Sequence, residues 1–133
     1  MVESCCSEDR IDYRSRMDPL TLHLAQDPAA LATLRRSVRE WLETLEIVDT
    51  DVAAIVAAIS EVAADAVEAG PLDVHGVLAG GDVVMRCRGS PEWRIEDHPS
   101  RYVAALLVDD VAIEQTPDAS AIVLRKAASR GLR

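Results

Sequence analysis

Glu61, Asp65 and Glu68 lie in an Ala/Val/Ile-rich run that ends at Gly70-Pro71. Spacings of four and three residues put all three carboxylates on one face if the run is helical. Carboxylate oxygens are the ligands that a hard cation takes. The plain alternative is a solvated helix face, on which each unfavourable like-charge pair costs about 0.2–0.5 kcal/mol. Other reactive groups offer less. His98 follows Asp97 on a loop with Trp93-Arg94. That group could line a small-molecule pocket or act as an acid/base pair, and exposed loop polarity is the simpler reading. His23 has no ligand-type neighbour beside it and reads as a solvent-facing strand residue. Cys5 and Cys6 are adjacent, which disfavours a bond between them. Cys87 is left over, and no C-x-x-C spacing points to a metal. Redox sensing by Cys5-Cys6 is weaker than the reading as incidental thiols.

Elements must position these groups, and the chain is long enough to supply them. Its 133 residues suit one domain with a real core. Apolar residues make up 49% and aromatics 3%, with no Phe, so Ala, Val, Leu and Ile must build that core. The formal net charge of -9 argues against general nucleic-acid affinity, because a phosphate backbone needs a Lys/Arg surface. It suits a partner with a basic face, or simply solubility. No segment reaches the roughly 18 apolar residues of a membrane span, and the polar N-terminus lacks a signal-peptide core. A reduced cytoplasm is the expected compartment.

Residues 1–17 read as a flexible tail, with Met17 as an alternative start. Leu20 to Leu24 alternates as a short strand. Asp27-Pro28 opens a helix that runs to about Glu46, with Leu31, Leu34, Val38, Trp41, Leu42 and Leu45 as its apolar stripe. Asp49 or Thr50 caps a second helix from about Asp51 to Ala69. Strands follow at Leu72 to Ala79 and Asp82 to Cys87, turned by Gly80-Gly81. An irregular loop spans Gly89 to Pro99, and a third helix spans Ser100 to about Asp109. Val111 to Glu114 and Ser120 to Leu124 form a last strand pair around Thr116-Pro117-Asp118. The basic stretch from Arg125 to Arg133 reads as frayed, with a flexible tail over 127–133. This order predicts an α+β two-layer sandwich, with helices on one face of a mostly antiparallel sheet.

The segment Ile59-Ser60-Glu61-Val62-Ala63-Ala64-Asp65-Ala66-Val67-Glu68-Ala69 resembles the N-box of histidine-kinase-like (GHKL) ATPases. It is most similar to that of the small bacterial anti-sigma-factor serine kinases, whose helix reads roughly E-L-x-x-N-A-x-x-H-A. Glu61 matches the glutamate, Asp65 stands in place of the asparagine, and Glu68 falls near the histidine. Ala32 to Leu42 resembles the first helix of those kinases. The turn Thr116-Pro117-Asp118-Ala119 resembles their closing T-P-D-G-like turn. The resemblance covers about residues 18–126 and implies a Bergerat-like fold.

The resemblance also implies roles. Glu61 would act as general base or water-orienting residue if the chain is active. Asp65 would take the magnesium-holding position of the asparagine, with Mg-ATP as the cofactor. Departures point to a degenerate domain. The family's second hairpin strand ends in D-x-G, whose Asp accepts a hydrogen bond from the adenine amino group; here that position holds Arg88 or Gly89. Arg88 carries no acceptor. The family's glycine-rich lid and G-x-G-L box wrap the phosphates with backbone amides. This chain has no glycine between Gly89 and Gly131, and Ser100-Arg101-Tyr102-Val103 stands where glycines are expected. The implied function is a non-catalytic regulator that binds a sigma factor or a STAS-type antagonist, with no cofactor. Homodimerisation through a sheet edge or the first helix is implied as well. An active serine kinase of an antagonist, and a scaffold with a repurposed small-molecule pocket, are the alternatives.

Overall fold

The computed structural model describes residues 18–129. The expected tail over 1–17, the alternative start at Met17, the Cys5-Cys6 pair and residues 130–133 lie outside the described residues. Five strands run Leu20–Leu24 (β1), Leu72–Ala79 (β2), Asp82–Gly89 (β3), Asp110–Gln115 (β4) and Ser120–Ala127 (β5). Three helices run Ala30–Thr44 (α1), Asp49–Ala69 (α2) and Ser100–Ala105 (α3). The strands form one antiparallel sheet in the order β1-β2-β3-β5-β4. Helices cover one of its faces, as the element order predicts.

Alternation decides which side chains face the helices. Leu72, Val74, Val83, Met85, Cys87, Ile122 and Leu124 are buried on the inner face. The outer face carries Thr21, His75, Arg86 and Ala112 along one register line, all open to solvent. Gly76 on the inner face leaves room for an aromatic ring. A Cβ there would sit 2.8 Å from Met85 Sδ and 3.0 Å from Trp41 ring carbons. Trp41 thus lies directly on the sheet, and its indole N–H donates to the Asp18 carbonyl at 2.9 Å.

The α1 stripe packs as its spacing demands: Leu34, Val38, Leu42 and Leu45 are fully buried. The helix ends in a Schellman arrangement: Ile47 N–H donates to Leu42 O at 3.2 Å, and Glu46 N–H donates to Glu43 O at 3.0 Å. Glu46, at φ 62°, takes the left-handed position that glycine usually fills. The α2 helix starts two residues before Asp51, with Asp49 and Asp51 in its first turn, where the helix dipole favours negative charge. Its small side chains let it lie close to the sheet, and Val52, Ile55, Val56, Ile59, Val62, Ala63 and Ala66 are all buried.

Several boundaries differ from the sequence reading, among them the start of α1, which lies at Ala30 and not at Pro28. Strand β3 continues past Cys87 to Gly89. Strand β5 continues past Leu124 to Ala127, so Arg125 and Lys126 are strand residues and not a frayed tail. Its far end is tied down: Ala128 N–H donates to Gly81 O at 3.2 Å, and Ser129 N–H donates to the Asp51 carboxylate at 2.7 Å. Helix α3 stops at Ala105, not near Asp109. The chain tightens there through bonds from Leu106 N–H to Val103 O and Leu107 N–H to Ala104 O, because Asp109 N–H already donates to Arg125 O at 2.9 Å. Leu106 is consequently turned outward and 86% exposed.

Candidate functional site

The carboxylate face lies along the second half of α2. Loop residues 90–99 and α3 lie against this helix. Glu61 and Glu68 are exposed there, as a solvated face predicts. Asp65 is different. Its side chain is only 23% exposed, its Oδ1 lies 3.7 Å from His98 Nδ1, and its Oδ2 is buried without a hydrogen-bond partner among the described residues. His98 therefore faces Asp65 across the seam. Its sequence neighbour Asp97 turns to Arg94 Nε, at 3.9 Å.

Two residues at the end of β3 fall at the position read from the D-x-G resemblance, and neither is an acid. Arg88 points to the outer face and is exposed, whereas Gly89 points inward and is buried. Gly89 has no side chain and so offers no side-chain acceptor. A Cβ there would meet Trp93 Cε3 at 3.1 Å and the Ala66 Cβ at 3.7 Å. The indole of Trp93 therefore sits at the point where β3 and α2 come together. It is 1% exposed, and the neighbouring Ile95 is 1% exposed.

Local chemistry places that indole. Ser90, Pro91 and Glu92 form a turn in which Trp93 N–H donates to Ser90 O at 3.0 Å and Glu92 N–H donates to Ser90 Oγ at 3.0 Å. The Glu92 carboxylate accepts from the same hydroxyl. A 3-10 turn at Ile95–Asp97 follows, and Pro99 opens α3. Trp93 and Ile95 alternate inward while Arg94 stays outside. The expectation that Trp93-Arg94 and His98 line a pocket is thus corrected for Trp93, which is core. The two-residue alternation of Trp93 and Ile95 between prolines was the available signal. Ser100, expected in place of a lid glycine, is also buried, at 4% exposure.

The polar groups in this region are under-satisfied. Trp93 Nε1, Ser60 Oγ and Arg101 Nε join Asp65 Oδ2 as buried polar atoms without partners among the described residues. The Arg101 guanidinium lies 4.6 Å from the Tyr102 ring centroid and donates to the Tyr102 hydroxyl at 2.7 Å. Among the described residues, no group of three or more His, Cys, Asp or Glu could hold a metal ion. A magnesium ion held through Asp65 would therefore need substrate phosphates for most of its ligands. Two surface concavities lie elsewhere. One is lined by His23, Leu24 and Asp73, the other by Arg101, Tyr102 and Ile113, and neither includes Glu61 or Asp65. His23 is not alone: its Nδ1 lies 2.5 Å from Asp73 Oδ1 across the β1–β2 pair.

Among the described residues, no helix is long and apolar enough to cross a membrane. No protein-family profile matches the chain, and no curated protein matches it. A solved structure does: the crystal structure of the RsbU and RsbW domains of Rv1364c from Mycobacterium tuberculosis. The TM-score is 0.76 at 30% sequence identity, over 87% of this chain and 34% of that one. The chain thus spans about a third of the length of the solved chain it resembles, and its two-layer fold is that of a domain within it.

Proposed function

We propose that the chain is a regulatory domain of the anti-sigma type. It acts by holding a protein partner, a sigma factor or a STAS-type antagonist, and not by phosphotransfer. One observation carries this reading: the likeness to the RsbU–RsbW chain, at TM-score 0.76 and 30% identity over nearly the whole of this sequence. The ordered resemblance of the N-box, first helix and closing turn to anti-sigma-factor serine kinases supports it independently.

The loss of phosphotransfer is supported by the site. Neither Arg88 nor Gly89 offers a side-chain acceptor to an adenine amino group, and Trp93 crowds the space beside Gly89. Asp65 stands where an asparagine is expected and turns one oxygen to His98. Side chains occupy the stretch where backbone amides would wrap phosphate. The exposed Glu61 favours a second reading, an active serine kinase, because a general base must reach its substrate. Self-association through an edge strand, β1 or β4, belongs to the first reading.

The test uses purified wild-type protein against each sigma factor and STAS-domain protein encoded in the same genome, with Mg-ATP present and absent. Nucleotide-independent capture of one of them is expected, with no phosphate transferred. Failure to bind any of them would sink the partner reading. Phosphorylation of a STAS protein that disappears in Glu61→Ala would replace it with the kinase.

A further inference from the structure

Tyr102, Val103, Leu106 and Ile113 are the large apolar side chains left exposed among the described residues, and all four lie on α3, just after it, or on β4. Exposed apolar groups gathered in one place mark an interaction surface, whereas scattered ones need no explanation. Tyr102, Ala105, Val111 and Ile113 line a groove between the helix and the strand. Arg101 lines it too, with its guanidinium folded onto the Tyr102 ring. β4 is an end strand of the sheet, and five of its six residues are exposed. At its turn, Thr116 N–H donates to Ala119 O, so antiparallel alternation directs the amides of Glu114, Ala112 and Asp110 to β5. The N–H and C=O groups of Val111, Ile113 and Gln115 therefore point off the sheet, along an edge without a proline or a bulge. The charges there are of one sign. Asp109, Asp110, Glu114 and Asp118 are acidic, and no Lys or Arg occurs between them. Glu114 meets Arg86 at 2.7 Å, but Arg125, opposite Asp110, turns to Asp82 at 2.8 Å. Asp110 thus has no ion-pair partner among the described residues.

We infer that the free edge of β4 is a docking site for an extended, basic peptide segment of a protein partner, which adds to the sheet as a further strand. Its backbone pairs with Val111, Ile113 and Gln115. Aliphatic side chains at alternate positions enter the groove against α3, and Lys or Arg at the positions between them faces Asp110 and Glu114. The strand edge supplies affinity, the groove and the carboxylates supply selection. A nucleic acid is repelled by the same carboxylates. A second copy of this chain fits worse, because pairing β4 to β4 about Ala112 sets Asp110 of each copy opposite Glu114 of the other. That leaves β1 as the edge for self-association. The inference stands on the groove and the edge alone, and it does not depend on which partner the regulatory reading names.

The probe is the capped peptide Ser-Lys-Ile-Thr-Leu-Lys-Ser, titrated at low salt into the isotope-labelled full chain and followed by amide NMR shifts. Ser-Glu-Ile-Thr-Leu-Glu-Ser is the control. The amides of Val111, Ile113 and Gln115 should shift and saturate, and those of β1 should stay. The acidic peptide should move none of them. Asp110→Lys should weaken the basic peptide by about threefold or more, since it reverses one exposed charge pair. Ile113→Pro removes a donor that points off the sheet and spares the β5 ladder. It should weaken binding by about two- to tenfold, the worth of one hydrogen bond.

If Ile113→Pro does not fold, by far-ultraviolet dichroism, Ile113→Thr takes its place: it keeps a β-branched residue in the strand and removes apolar contact, and binding should again weaken. No shift along β4 at millimolar peptide overturns the inference. Equal shifts with both peptides overturn it as well, and so does a homodimer in sedimentation that the Ile113 variants dissolve. Capture of a sigma factor or STAS protein is measured separately, so the edge can fail while the regulatory reading stands, and the reverse.

Discussion

Asp65→Ala should stabilise the protein, although it removes a charged residue with a visible partner. Truncation removes an orphaned buried acceptor, which relieves about 1–3 kcal/mol. Alanine is the better helix former by up to about 0.7 kcal/mol. Repulsion from Glu61, four residues before, and Glu68, three after, also falls, by about 0.2–0.5 kcal/mol each. Against this stands the loss of the contact with His98 Nδ1 at 3.7 Å. Both side chains are partly exposed, so that contact contributes no more than about 1 kcal/mol. Some packing of the side-chain stem is lost as well. The balance is a gain of about 1–3 kcal/mol by these magnitudes. Urea unfolding followed by tryptophan emission reads it directly. The midpoint should rise by roughly 1 M at unchanged slope. His98→Ala alone should cost less than about 1 kcal/mol, and the double mutant gives their coupling. A loss of more than about 1 kcal/mol in Asp65→Ala would refute the reasoning, because it would mean that the carboxylate is held by a network. If the gain appears, Asp65 is a residue that lowers stability, which is the signature of a site retained for binding.

Other perturbations probe the frame around the site. Gly76→Ala should destabilise by about 1–3 kcal/mol through overpacking, since the new methyl group meets Trp41 at 3.0 Å; a neutral or stabilising result in urea unfolding would contradict that contact. Burial, with a smaller push from the Asp73 carboxylate, raises the Cys87 thiol from its ordinary value to about 12. The folded state therefore favours the neutral thiol. Its contribution is complete below the ordinary thiol range and is lost as pH rises towards about 12. Tm measured from pH 8 upward should fall less steeply in Cys87→Ala, and equal slopes would reject the assignment. Asp51→Ala removes a carboxylate that accepts from Ser129 N–H at 2.7 Å and faces Lys126 Nζ at 3.7 Å. It should cost about 1.5–3 kcal/mol and speed amide exchange at Ser129; unchanged exchange would show that the tie carries no weight.

Periodicity made the frame readable. The Leu20 to Leu24 alternation, the α1 stripe and the Gly80-Gly81 turn all stand where pattern places them, with those glycines at φ 59° and 91°. Strand ends were less readable, because Arg88, Arg125 and Lys126 are polar. What keeps them in strands is a neighbouring strand's hydrogen bonds, which a single segment does not display. The length of α3 failed for a related reason: its apolar residues continue a helical period, but β5 claims the backbone from Asp109 onward. At the site, the three carboxylates were legible as one face, and two of them are solvated as such a face predicts. The contact between Asp65 and His98 joins residues 33 positions apart and leaves no local trace. Trp93 reads as loop because prolines flank it, and its alternation with Ile95 is the one local sign of the burial that the fold shows.

The strand order has a consequence for how the chain is made. Strand β5 lies between β3 and β4, yet it is the last of the five to leave the ribosome. Until it emerges, β3 has one naked edge and β4 has no neighbour at all among the strands. A nascent chain can therefore assemble β1, β2 and β3 with α1 and α2, but it must hold the rest in waiting. Translation that stalls before Ser120 would leave a half-sheet with an apolar, hydrogen-bonding border, the kind of surface on which trigger chaperones and aggregates compete.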